Sequence, residues 1–251
     1  MATRPSVRLV GSAGPGEGRG HAGRLVTMAE ALAPRADVRV ELLLGAFTTG
    51  EAERLAAAGI DWRNGGARRE PDAVIVDVPW PDAIAARWRA ERLVVFDDSH
   101  RLSANVAVVV QPSLPAWHGA ARASTILAGY AFAPIRPSIR RLASEDLVPA
   151  APPEVVVCFG GGDPADVTAR VAPAIAAAVG ERAHLTIVVG ASYAGALRDE
   201  RGDELVRDPA DLDSRVARST LAVIGGGMMK QEAAHLGVPT ITVAVADDQL
   251  V

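Results

Sequence analysis

Short apolar runs alternate with stretches of helical periodicity from one end of the chain to the other, the pattern of parallel strands joined by crossover helices. In the first half, runs at 7–10, 38–44, 73–77, 93–96, 106–110 and 125–128 predict strands. Between them, 21–33, 50–58 and 81–90 repeat Ala and Leu on one face and predict helices. The runs are rich in Val and Leu without strict polar alternation, as strands buried on both faces should be. Pro134, Pro137, Pro149, Pro152 and Pro153 then fall in two clusters around a charged segment and mark a domain boundary. A second series follows, with strands at 155–159, 185–189, 221–224 and 240–245 and helices near 166–178 and 228–236. The reading is α/β, with two Rossmann-like domains in tandem, 1–136 and 137–251, each on a parallel sheet. In open sheets of this kind ligands bind beyond the carboxyl ends of the strands, so the loops after each strand are the candidates for chemistry.

Composition narrows the partners. Apolar residues make up 49% and charged residues 22%, as in a water-soluble globular protein. A formal net charge of -4 argues against broad binding to nucleic acid, which needs a basic face to neutralise phosphates. The single cysteine, Cys158, excludes an internal disulfide and a cysteine-based zinc site, so the cytoplasm is the expected compartment. The amino terminus lacks the apolar stretch of a signal peptide, and no run reaches the length of a membrane span.

The loop after strand 7–10 reads GSAGPGEGRGH, with Gly at 11, 14, 16, 18 and 20, and leads into a helix whose free N–H groups and positive dipole end suit an anion or polar ligand. No Gly-Lys-Ser/Thr follows, which excludes a Walker loop. Gly18, Gly20 and Gly23 match G-x-G-x-x-G, but strand 38–44 ends at Gly45 without the acid that would hold a ribose. His21 sits at the first helical turn, where the dipole disfavours an imidazolium, so a neutral ring acting as general base is one reading. A ring that only hydrogen-bonds the loop is the other. Arg24, three residues on, shares its face and can reach a phosphate, hold a carboxylate or lie in solvent.

The second half repeats the device. Strand 155–159 runs into GGGDP, where Asp163 reads as a helix N-cap with Pro164 at the first helical position. Strand 221–224 runs into Gly225, Gly226 and Gly227 and the helix that starts MMKQEAAH. Glu232, between one and two turns into that helix, either accepts two ribose hydroxyls or is an ordinary exposed residue. Asp97 and Asp98 close strand 93–96 with His100 nearby, which allows a metal or acid/base site, though strand-end aspartates commonly cap turns. His118, His184 and His235 read as structural or surface residues.

The order of these pieces resembles the sugar-nucleotide hydrolases of pseudaminic acid synthesis and the related spore-coat polysaccharide proteins, a branch of the two-domain GT-B superfamily that includes MurG-like glycosyltransferases. Gly18 to Arg24, GRGHAGR, is similar to the family's G-x-G-H-x-x-R opening; VVFDDS and ILAGYAFAPIRPSI are similar to its Asp-Asp strand end and Leu-x-Gly segment. VVVCFGGGDPADVT, IVVGAS and IGGGMMKQEAAHLGVPTI follow in family order, so the likeness spans nearly the whole chain. The resemblance implies two sheets facing a central cleft and a nucleotide diphosphate, taken as UDP, held mostly by the carboxyl-terminal half. His21 would activate water against the anomeric carbon as UDP leaves. Gly18, Gly20, Arg24 and Asp98 would line the sugar side, with Gly226, Gly227 and Met228 against the diphosphate, Glu232 on the ribose and Gln249 beside them. No metal or separate cofactor is implied, and helix dipoles would stabilise the leaving group.

Three departures bear on the reaction. Val78, Pro79 and Trp80 stand where the family has His-Tyr-Gly, and Asp248-Gln249 where it has Asn-Gln. The family also continues beyond the position of Val251, which implies a fragment or a shortened relative. The expected function is therefore a nucleotide-sugar hydrolase, with a GT-B glycosyltransferase using a UDP-sugar donor, or a non-catalytic nucleotide-sugar-binding protein, as alternatives.

Overall fold

The computed structural model describes residues 4–13, 19–62, 70–163, 165–191, 193–195, 204–245 and 249. It divides into two compact units, Met1–Pro134 and Ile135–Leu250. The division falls just before the expected 136/137, because Arg136 pairs with Glu232 and Asp213 and so belongs with the second unit.

In unit 1 the strands are β1 (Ser6–Gly11), β2 (Asp37–Leu42), β3 (Ala73–Asp77), β4 (Leu93–Phe96), β5 (Val106–Gln111) and β6 (Ala123–Ala128), and the helices α1 (Gly20–Leu32), α2 (Thr49–Ala57) and α3 (Pro81–Ala85). The sheet is parallel, in the order β2-β1-β3-β4-β5-β6. Side chains alternate across it. Val7 and Leu9 of β1, with Ala73 and Ile75 of β3, join the core beneath α1 and α2, around Leu25, Val26, Ala29 and Leu55. Val10, Val74 and Val76 face the other way, onto Ile84, Ala85 and Leu102. Both faces of the central strands are thus buried. The edge strand β6 differs, with Ser124, Thr125 and Ile126 exposed.

One feature corrects the expectations here. The helix expected over 81–90 stops at Ala85, where Arg87 and Trp88 donate to the carbonyls of Ile84 and Ala85 and tighten the turn that feeds β4. Helix α2 begins with a capping box, Thr48 and Glu51 each serving the other's backbone N–H.

In unit 2 the strands are β7 (Glu154–Cys158), β8 (His184–Val189), β9 (Glu204–Arg207), β10 (Leu221–Gly225) and β11 (Thr240–Val243). The helices are α4 (Pro137–Leu142), α5 (Val167–Val179), α6 (Leu212–Arg218) and α7 (Met228–His235). All neighbours are parallel, in the order β11-β10-β7-β8-β9. One core layer packs Val156, Cys158 and Ile224 against Val216 of α6 and Ala233 of α7; the other packs Val155, Val157 and Leu185 against Val167 of α5. Helix α5 starts at Val167 with Asp166 at the N-cap position, so Asp163 is not the N-cap residue; its carboxylate still serves the first turn, accepting from the backbone N–H of Val167 and Thr168 at 2.9 and 2.8 Å, and Pro164 lies outside the described residues. The short elements β9, α4 and α6 were not expected from the sequence pattern.

In each sheet the strand order reverses once. The reversal lies between β1 and β3 in unit 1 and between β7 and β10 in unit 2. Loops diverge at such points and open a crevice at the carboxyl ends of the strands.

Candidate functional site

His21 stands at the reversal in unit 1, at the start of α1 after the β1 loop. Its partner comes from the other strand. Asp77 ends β3 and is in register with Gly11, so strand alternation turns its carboxylate toward α1. His21 Nδ1 lies 2.7 Å from Asp77 Oδ1. Arg24, three residues on, donates from Nε and Nη2 to the two Asp77 oxygens at 2.7 and 2.5 Å, and from Nη1 to Asp98 at 2.5 Å. Asp77 is fully buried and Arg24 only 5% exposed, while the His21 side chain keeps 16% exposure. The Arg24 guanidinium also lies 5.1 Å from the ring centre of Phe96.

The approach of α1 depends on a glycine. A Cβ at Gly11 would lie 2.4 Å from Leu25 Cδ1 and 3.1 Å from the Asp77 carbonyl oxygen. Leu25 is one turn beyond His21, so the bare backbone at Gly11 lets the helix settle where His21 and Arg24 reach Asp77.

With Asp77 accepting from Nδ1–H, the neutral ring exposes Nε2 as a proton acceptor, the tautomer a general base needs. Arg24 Nη2, 3.3 Å from Nδ1, is then a close neighbour and not a donor to it. Burial pushes the His21 pKa down, but the charge and hydrogen bond of Asp77 outweigh it, and the result lies above the ordinary 6.5. This is opposite to the direction given by the helix end alone, because a carboxylate at hydrogen-bond distance outweighs a dipole half-charge. Arg24 is neither solvated nor free for a phosphate; two carboxylates hold it.

Asp98 joins the cluster through Arg24 and accepts from the Ser113 hydroxyl at 3.2 Å. Asp97 does not. It is 2% exposed and caps a turn, accepting from the N–H of Arg101 and Leu102 at 3.0 Å and from Trp117 Nε1 at 2.9 Å. His100 accepts from the His118 N–H at 2.9 Å and stacks on its ring. Among the described residues no group of His, Cys, Asp and Glu side chains is arranged to hold a metal ion, and no helix is long and apolar enough to cross a membrane. Gly20 opens α1 with open space where a Cβ would stand. Gly18 lies outside the described residues.

In unit 2, Gly225 to Gly227 link β10 to α7, whose N-cap Gly227 offers no side chain to the first-turn N–H groups. Gly227 is exposed and Met228 half-buried at this end. A Cβ at Gly226 would come within 2.9 Å of Gln249 Oε1, which accepts from Val245 N–H at 3.0 Å. Gln249 thus packs on the glycine loop, while Asp248 lies outside the described residues. Glu232 is not an exposed helix residue: it is 4% exposed, and Arg136 grips both its oxygens at 2.5 and 2.6 Å.

Sequence reasoning brought His21, Arg24 and Asp98 to one place and Gly226, Gly227, Met228 and Gln249 to another. It missed Asp77 and Arg136 as site residues. An acid closing a buried strand at the ligand end of the sheet was the available signal for Asp77; nothing local marked Arg136.

No protein-family profile matches the chain, and no curated protein matches it by sequence. Comparison of folds does give matches, and they define a GT-B-type α/β fold. The chain is similar to the glycotransferase of kitacinnamycin, with a TM-score of 0.63 and 15% identity over 99% of this chain and 82% of that one. It is also similar to spinosyn forosaminyltransferase, with a TM-score of 0.58 and 14% identity over 98% and 82% of the two chains. Phytolacca americana UGT2, complexed with UDP-2fluoro-glucose and pterostilbene, gives 0.58 and 12% over 97% and 82%. At such identities the likeness is one of fold.

Proposed function

We propose that this chain is a glycosyltransferase that moves a sugar from a nucleotide diphosphate, taken as UDP, to an acceptor hydroxyl. The observation that carries the reading is the 2.7 Å contact of His21 Nδ1 with buried Asp77, which leaves Nε2 to accept a proton. In the proposed step Nε2 removes the hydroxyl proton as the oxygen bonds to the anomeric carbon. The bond from that carbon to the diphosphate breaks, and its electron pair leaves on the nucleotide. Unit 2 holds the nucleotide: the α7 N-terminus after Gly226 and Gly227 faces the diphosphate charge, Met228 and Gln249 border it, and Glu232 takes the ribose. Transferase folds among the similar structures, one of them complexed with a UDP-sugar analogue, support transfer over hydrolysis.

Hydrolysis is the same step with water in place of the acceptor. The ordered motifs from Gly18 to Arg24 and from Val94 to Ser99 favour it, through their likeness to the sugar-nucleotide hydrolases. One assay separates the two. Purified protein is incubated with UDP-sugars, with and without a panel of hydroxyl acceptors, and UDP release is followed. Transfer predicts release that depends on acceptor and falls by about 10²-fold or more in His21→Ala. Equal release without acceptor would establish hydrolysis, and a fully active His21→Ala would remove the base from either step.

A further inference from the structure

Glu232 is tied into a chain of hydrogen bonds that nothing in the nucleotide reading requires. It lies at the start of the second turn of α7, almost fully buried, and a carboxylate so placed needs a paired cation. Arg136, the residue before α4, supplies it. Its Nε and Nη2 form a two-pronged contact with Oε1 and Oε2, and its Nη1 lies 2.9 Å from Asp213 Oδ1 on α6. Asp213 is held in turn by the Ser138 hydroxyl at 2.6 Å. Burial works against the charge on Arg136, but the Glu232 and Asp213 contacts outweigh it and hold the guanidinium protonated.

A planar guanidinium in this fork uses one lone-pair direction on each carboxylate oxygen and leaves the others free. Two hydroxyls on adjacent carbons, as in a ribose, match two free lone pairs on oxygens whose rotation is locked. Locking matters because a freely turning Glu would lose rotamer entropy on binding, and the two hydroxyl contacts would form one at a time.

We infer that Arg136 is the positioning residue for ribose recognition: its fork fixes the Glu232 carboxylate so that both oxygens accept from a nucleoside diol, which gives the site its preference for ribonucleotides. This rests on the reading of Glu232 as the nucleoside-binding acid. Lysine at position 136 keeps the charge but not the fork, whereas glutamine loses the charge as well.

The test is calorimetric titration of UDP and 2′-deoxy-UDP into the full chain and into Arg136→Lys, Arg136→Gln and Glu232→Gln, with thermal unfolding run alongside. The wild-type chain is expected to prefer UDP by about tenfold or more, since hydrogen bonds to a charged acceptor are each worth that much. Glu232→Gln and Arg136→Gln are expected to bring the ratio close to one, and Arg136→Lys to an intermediate value. A purely structural Arg136 would lower stability and leave the ratio unchanged. If Glu232→Gln loses the preference while folded Arg136→Gln keeps it, the positioning role is overturned and the ribose reading stands. If the wild-type chain shows no preference, the ribose reading falls and the inference with it. Should Arg136→Gln not fold, Arg136→Lys decides: a wild-type ratio overturns the inference.

Discussion

Asp77→Asn removes one negative charge and little volume from the centre of the unit 1 cluster. The wild-type carboxylate accepts two hydrogen bonds from Arg24 and one contact from His21, all within 2.7 Å and fully shielded from water. An amide cannot accept from all three donors, since one of its two heads is itself a donor. Stripping a partner from a buried ion pair costs about 3–5 kcal/mol. Asp98 still holds Arg24 at 2.5 Å, which places the loss near the lower figure, about 3 kcal/mol. For a unit of this size that is a fall in melting temperature of about 10 °C, measurable by calorimetry. The chemistry shifts separately. Asp77 is what lifts the His21 pKa, so the acid limb of kcat/KM should lie above 6.5 in the wild type and move down in the variant. Loss of orientation should lower the plateau by about 10²–10⁴. The pH–rate profile of both proteins, taken well below the variant's melting temperature, checks this. An acid limb that stays in place, with stability within about 1 kcal/mol of wild type, would refute the dyad.

Gly11→Ala is expected to destabilise unit 1 by about 1–3 kcal/mol, because a Cβ 2.4 Å from Leu25 Cδ1 must displace that fully buried side chain, and to cut activity more than Gly20→Ala, where there is open space; denaturant unfolding and turnover of the pair test it. For His21→Gln the sign follows from the raised pKa. The folded state binds the proton more tightly, so that extra stability is fully present below pH 6.5 and lost as pH rises through the higher folded value. The stability gap between wild type and His21→Gln should therefore be wider at low pH than at high pH, and a gap constant with pH across that window in denaturant titrations would contradict it.

Much of this architecture is legible in local patterns. The Val-rich runs that became β1, β3, β7 and β10 announce themselves by composition, and the 3.6-residue period of α1 places His21 and Arg24 on one face. The dyad is not legible in the same way. Asp77 lies 56 residues from His21, and their meeting depends on β3 lying beside β1, an adjacency that strand pattern alone does not state. Arg136 was hidden for a similar reason: its segment reads as a proline-rich connector, and its partner Glu232 is 96 residues away. The helix expected over 81–90 shows the opposite failure, where apolar spacing continued past the point at which the chain turned back toward the sheet. Periodicity reports faces, while long-range pairing depends on sheet order.

The sharing of Arg24 between Asp77 and Asp98 has an electrostatic consequence. One fixed cation faces two carboxylates, so with a neutral imidazole these four side chains carry a net charge of 1 − 2 = −1. They become neutral only when His21 takes up a proton. In the transfer proposed above, proton uptake by His21 would relieve an imbalance that the fold holds in place beforehand, and an acceptor carrying its own anion close to its hydroxyl would meet that imbalance as repulsion.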